Sequence, residues 1–153
     1  MTNDISLADI QNLISAWWFN YDNGDLEHLA GWLTSDTVLS VRTDSGTTDF
    51  EEFIRADEQG RDAVAAWHIQ HRDGSPYPLR HHGTNVHVTG TEGDDVQFAS
   101  YIYVTHNEGI SPVGLPSGIV RGAVRREDGV VRLSAMHVVL DMTASVAFAD
   151  RPR

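Results

Sequence analysis

Eight histidines supply most of the neutral-pH chemistry open to this chain. Imidazole is the side chain whose ordinary pKa lets it take and give protons near neutrality. A histidine oriented by a carboxylate is therefore the simplest acid–base device available. His28, His68 and His71 stand in polar company on helices or a loop and read as surface. His106 differs, because it continues the strand parity of Val96, Phe98, Ser100, Ile102 and Val104. His137 shares its parity with Val131, Leu133, Ala135 and Val139. An imidazole on an apolar face needs a partner, since an unpaired buried polar group costs roughly 1–3 kcal/mol. Two of them, expected on neighbouring strands, mark a candidate site.

Asp22 closes an apolar helical stretch directly after Tyr21. A carboxylate at a helix C-terminus faces the unfavourable end of the macrodipole. A pocket role against a histidine would explain why the position tolerates it. The segment Arg80-His81-His82-Gly83-Thr84-Asn85-Val86 carries the main signal. Parity from Val86 and Val88 places His82 inward and His81 outward, whereas a bulge at Gly83 reverses the assignment. Local sequence leaves both open. Histidine density also suggests a metal, because imidazole suits zinc, copper or iron. His81 and His82 are adjacent and point opposite ways on a strand, and no His-x-His precedes a suitable carboxylate. Neither a metal nor another cofactor is expected.

These side chains must be positioned by the elements around them. A first helix is expected from about Ser6 to Asp22, with Ser6 and Asp9 as a capping pair. Ile10, Leu13, Ile14, Trp17 and Tyr21 form its buried face, and Asn23-Gly24 ends it. Asp25 is expected to cap a second, short helix through Leu33. A strand is expected over Thr37–Arg42. Thr48 and Glu51 form a capping box for a third helix reaching about His68, weakened by Gly60. After the loop Asp73-Gly74-Ser75-Pro76, four strands are expected near Arg80–Thr89, Val96–His106, Ser117–Arg126 and Val130–Asp141. Hairpin turns fall at Glu92-Gly93-Asp94 and Glu127-Asp128-Gly129. The loop Asn107–Pro116 is placed to rim a pocket. The fold class is α+β: a cone-shaped, curved antiparallel sheet with three helices over its concave face, enclosing a pocket.

The chain has 153 residues, which suits one domain spanning 1–153. No cysteine is present, which excludes disulfides, thiolate metal sites and a cysteine nucleophile. The net charge of −11 argues against a nucleic-acid backbone or an anionic membrane surface as partner. The stretch Met1 to Ile10 lacks a basic region followed by an apolar run, and no apolar run reaches bilayer length. A cytoplasmic protein is the expectation.

The helix ending in Tyr21-Asp22, the run His81-His82-Gly83-Thr84-Asn85 and the closing strand pair around Asp128-Gly129-Val130-Val131-Arg132-Leu133 resemble the SnoaL-like branch of the nuclear-transport-factor-2-like superfamily. The resemblance covers almost the whole chain. It implies the cone fold, a homodimer or homotrimer, and no metal. Two enzyme groups within it are most similar. Scytalone dehydratase carries a Tyr-Asp pair resembling Tyr21-Asp22, a strand histidine matched by His81, and a second histidine that falls on His106 by spacing. Hexachlorocyclohexane dehydrochlorinase carries an Asp–His dyad landing on Asp22 and His81, and a His-x-Gly-Thr-Asn run matching His81 to Asn85. The resemblance thus implies that His81 faces the pocket. It departs at Trp17 and Met136, which stand where the dehydrochlorinase has Lys and Arg, and at Gly118 and Val120, where the dehydratase has Ser and Asn.

The function these readings imply is a cofactor-independent lyase or isomerase, dehydratase-like, acting on a small apolar carbonyl or polyketide-like substrate. His81 would be the base, Asp22 its orienting carboxylate, and His106 or Tyr21 the donor to an oxygen. Trp17, Trp18, Phe98, Asn85 and His137 would line the substrate site. The alternatives are a non-catalytic ligand-binding or dimerising accessory domain, or a polyketide cyclase.

Overall fold

The structure, a computed structural model, describes residues 4–152. The first three residues of the stretch Met1–Ile10 lie outside the described residues. Helix α1, Leu7–Asp22, starts where Ser6 Oγ accepts from the Asp9 N–H at 3.2 Å and the Asp9 carboxylate accepts from the Ser6 N–H at 2.8 Å. Its buried face is Ile10, Leu13, Ile14, Trp17, Trp18, Tyr21 and Asp22. The second expected helix is only a 3₁₀ turn, Leu29–Trp32. From Leu33 the chain is already in strand β1, Leu33–Thr43, which pairs from Leu33 onward with the strand Val130–Leu140. Sheet pairing outcompetes a helix too short to be stable alone.

The third expected helix is broken in two. Helix α2 is Glu51–Ile54, strand β2 is Ala56–Gln59, and helix α3 is Arg61–Gly74. Gly60 stands at the break with φ 90°, a conformation that excludes it from a helix and that glycine alone adopts readily. The expected capping box does not form: α2 starts after Phe50 with no side-chain cap, and Thr48 instead donates its hydroxyl to the Glu51 carboxylate at 3.0 Å. Glu51 also accepts from the Thr43 N–H and hydroxyl, tying α2 to the end of β1.

Strands β3 (Leu79–Glu92), β4 (Asp95–Glu108), β5 (Ser111–Glu127) and β6 (Val130–Leu140) form the antiparallel meander. The expected loop Asn107–Pro116 is largely strand. Its turn is two residues, Gly109 (φ 62°) and Ile110, closed by the Glu108–Ser111 pair. The sheet order is β2-β1-β6-β5-β4-β3. All pairs are antiparallel except β1–β6, which is parallel. The sheet is curled and unclosed, with the three α-helices over one face. Helix α1 packs against the edge strand β3, and α3 packs against β1 and the other edge strand, β2. No helix among the described residues is long and apolar enough to cross a membrane.

Candidate functional site

Between the helices and the sheet lies a cavity of about 260 Å³. Trp18 and Tyr21 reach it from α1, Trp67, His68 and His71 from α3, and Leu79 and His81 from β3. Leu39, Val41, Ile102, Val104, Met136 and Val138 form the sheet wall, and Leu115 and Pro116 its rim. Among the described residues the lining contains no Asp, Glu, Lys or Arg. Its polar groups include Tyr21, Ser75, three imidazoles and the indoles of Trp18 and Trp67, so it suits an uncharged ligand.

Asp22, at the end of α1, is 2% exposed. Its Oδ2 accepts from the His81 backbone N–H at 2.7 Å, and its Oδ1 lies 2.5 Å from His81 Nδ1. An ionised carboxylate only accepts, so Nδ1 holds the proton and Nε2 is the nitrogen left for a ligand. The indole of Trp18 stacks flat on the imidazole, with centroids 4.5 Å apart and planes 9° from parallel. Tyr21 meets it edge-on at 5.4 Å. These contacts leave the ring one orientation.

Arg72 explains how a carboxylate is tolerated at this helix end. Its buried guanidinium donates to the carbonyls of Tyr21 (3.1 Å), Asp22 (2.8 Å) and Pro76 (3.1 Å). It thereby caps orphan carbonyls and places a cation at the negative end of the α1 dipole. Burial pushes the Tyr21 phenol pKa up, partly opposed by Arg72, so Tyr21 is a neutral O–H donor.

The inward placement of His81 rests on a bulge at Asn85-Val86, two residues beyond Gly83. Thr84 pairs with Tyr101 and His87 with Ala99, so two residues of β3 oppose one of β4. Asn85 adopts φ 58° there. Parity therefore reverses between Val86 and Gly83, and His81 turns to the cavity while His82 is exposed.

Several expected site residues lie elsewhere. Trp17 is fully buried in the core and does not line the cavity, and its indole N–H has no hydrogen-bond partner among the described residues. Phe98 is buried beneath Gly122, where an added Cβ would meet its ring at 2.5 Å. Asn85 is exposed at the bulge. His106 keeps the inward parity, pairing with Leu79, but lies past the cavity wall, 4.0 Å from Glu108. His137 is exposed on the opposite face of the sheet, 2.7 Å from Ser40 Oγ. A register shift between Ala123 and Val124 inserts Ser134 as an extra residue, which inverts parity along β6 and turns Met136 and Val138 inward. Strands β4 and β6 are not neighbours, because β5 separates them.

His68 and His71, expected at the surface, instead stand in the cavity wall. Val64, Ala65, His68 and Arg72 form the buried face of α3. Their i, i+4, i+8 spacing was the available signal. His68 is 4% exposed, with Nδ1 2.8 Å from the Val64 carbonyl and its ring edge-on to Trp17, Tyr21 and Trp67. Burial pushes its pKa down to about 4, against the hydrogen bond to Val64. His71 is sandwiched between Phe53 and Trp67 at 4.5 and 4.6 Å, and burial lowers its pKa too.

A curled, unclosed sheet with helices over an apolar cavity defines the nuclear-transport-factor-2-like class of α+β proteins. The chain belongs to the SnoaL-like domain family, whose sequence pattern it matches over residues 6–137. Among solved structures, it is similar to an NTF2-like protein with a cystatin-like fold from Novosphingobium aromaticivorans (TM-score 0.69, 23% identity, covering 87% of this chain and 80% of that one). It is similar to ActVI-ORFA from Streptomyces coelicolor (TM-score 0.70, 19% identity, 89% and 97% covered). It is also similar to the β subunit of a putative aromatic-ring-hydroxylating dioxygenase from Novosphingobium aromaticivorans (TM-score 0.70, 19% identity, 92% and 91% covered). At such identities these likenesses establish the fold alone. No curated protein matches the chain significantly.

Proposed function

We propose that this protein is a cofactor-independent acid–base lyase or isomerase, dehydratase-like, acting on a small, uncharged, largely apolar carbonyl compound. One observation carries the reading: His81 stands in the cavity wall, paired with the buried Asp22, and among the described residues no permanently charged side chain lines that cavity. His81 Nε2 takes a proton from the carbon next to a carbonyl. Asp22 keeps the proton on Nδ1 and stabilises the imidazolium that forms. Tyr21 O–H donates to the oxygen that gains charge. In an elimination, the C–H electron pair becomes the new double bond and the departing hydroxyl leaves as water, taking a proton from His81. In an isomerisation, the same proton returns to a different carbon. The scheme assigns no step to His106.

An uncharged lining among the described residues favours a neutral leaving group over a halide, and equally fits a second reading in which the cavity only binds its ligand. A polyketide cyclase would use the same base to start ring closure. The cellular setting proposed is cytoplasmic, and the assembly a homodimer or homotrimer.

The test needs no knowledge of the natural substrate. Deuterium exchange at the α-carbon of 1-indanone in D₂O, followed by NMR, reports the base directly. General-base catalysis is worth about 10²–10⁴-fold. His81→Ala and Asp22→Asn should each lose most of the acceleration while keeping wild-type circular dichroism. Equal exchange rates in the wild type and both folded variants would leave the cavity a binding site only.

A further inference from the structure

His68 and His71 stand in the cavity wall opposite the strand that carries His81, and the mechanism above does not use them. Their hydrogen bonds settle which nitrogen each offers. His68 Nδ1 lies 2.8 Å from the Val64 carbonyl, and His71 Nδ1 lies 3.1 Å from the Phe53 carbonyl. A carbonyl oxygen has no proton to give, so each Nδ1 must be the donor. In a neutral ring the other nitrogen is then a bare acceptor. Neither Nε2 has a hydrogen-bond partner among the described residues, and both rings line the cavity.

Protonation would turn both into donors, but burial opposes it at each ring. The aromatic packing around them fixes their planes: His68 edge-on to Trp17, Tyr21 and Trp67, and His71 between Phe53 and Trp67. Tyr21 meets the ring of His68 at 5.8 Å and that of His81 at 5.4 Å, so the two imidazoles flank one phenol. The α3 side of the cavity thus presents preorganised acceptors in an apolar setting. An acceptor there discriminates strongly, because a ligand lacking the matching donor leaves it desolvated and unpaired.

We propose that His68 and His71 are specificity-determining residues whose Nε2 atoms accept hydrogen bonds from hydroxyl or N–H donors on one edge of a neutral, mainly aromatic or alicyclic ligand. The assignment rests on the reading of this cavity as a small-molecule site. It does not require that the ligand be transformed.

The test compares 1-naphthol with its near-isostere 1-fluoronaphthalene, which lacks the donor. Binding to the full chain is measured by calorimetry at pH 7. The wild type should prefer 1-naphthol by about tenfold, the size of one such hydrogen bond. His68→Phe and His71→Phe keep a ring in each place and should each reduce that preference by about threefold or more. His68→Gln, which retains an acceptor, should keep part of it. Long-range ¹H–¹⁵N spectra should show both rings as the Nδ1–H tautomer, with Nε2 shifted by 1-naphthol alone. If His68→Phe does not fold, the half-buried His71→Phe and the spectra of the wild type still decide. Equal affinity of the wild type for both probes, or an unchanged preference in the folded phenylalanine variants, overturns the assignment and leaves the cavity as a binding site. Binding of neither probe to the wild type overturns both the assignment and the small-molecule reading.

Discussion

Lowering the pH from 6.5 should destabilise this protein through His68 before most of its carboxylates titrate. The ring is 4% exposed and has one hydrogen bond, to Val64, which cannot offset the loss of hydration on charging. Its pKa falls from an ordinary value of about 6.5 in the unfolded chain to about 4 in the folded one. The unfolded state therefore takes up the proton first as pH drops. The stabilisation is whole above pH 6.5 and is lost progressively as pH falls toward 4. Each pH unit is a factor of ten, or roughly 1.4 kcal/mol. The full window corresponds to about 3 kcal/mol, and the part above pH 5 to about 2 kcal/mol. That is a large share of the roughly 5–15 kcal/mol of a typical domain. Urea denaturation at pH 7, 6, 5.5 and 5 reads it directly, and His68→Phe supplies the comparison. The variant has its own packing cost, but that cost is constant with pH and cancels in the slope. His71 shifts in the same direction and adds to the wild-type slope, so His68→Phe/His71→Phe should be the flattest. Burial raises Asp36, but its hydrogen bonds lower it further, and hydrogen bonds lower Asp9, Asp44, Glu51 and Glu127; these groups contribute with the same sign, but from the ordinary carboxylate range downward, beneath this interval. Parallel slopes for wild type and His68→Phe between pH 6.5 and 5 would refute the reasoning.

Arg72→Met removes a buried guanidinium from the carbonyls of Tyr21, Asp22 and Pro76. It should cost roughly 2–4 kcal/mol, lowering Tm by roughly 10 °C and loosening Asp22 from His81. A melting temperature within a degree or two of wild type would contradict this. Gly83→Val pushes side-chain atoms into Trp18 and Ile14, since even a Cβ would sit 3.2 Å from the indole and 3.3 Å from the isoleucine. It should cost about 1–3 kcal/mol and move Trp18 off the His81 face. Unchanged near-ultraviolet circular dichroism together with unchanged 1-indanone exchange would argue against the role given to that stack.

Local sequence determined much of the architecture. The spacing of Ile10, Leu13, Ile14, Trp17 and Tyr21 specified both α1 and its buried face, because a helix turns through 100° per residue whatever surrounds it. Alternation along Val96 to Val104 specified β4 and its inward side in the same way. The Ser6–Asp9 cap and the turns at Gly93 and Asp128-Gly129 were legible because their geometry depends only on neighbours in the chain. Tertiary structure alone decided which side chains meet. One inserted residue at Asn85-Val86 turned His81 inward, and one at Ser134 turned His137 outward, since a strand's period of two lets a single bulge invert everything beyond it. Polar neighbours made His68 look like surface, yet docking of α3 against β1 buried it. The Asp22–His81 contact joins residues 59 positions apart. Arg72, on a third element, ties the end of α1 to the loop that leads into the first strand of the meander, and no local pattern encodes an agreement among three segments.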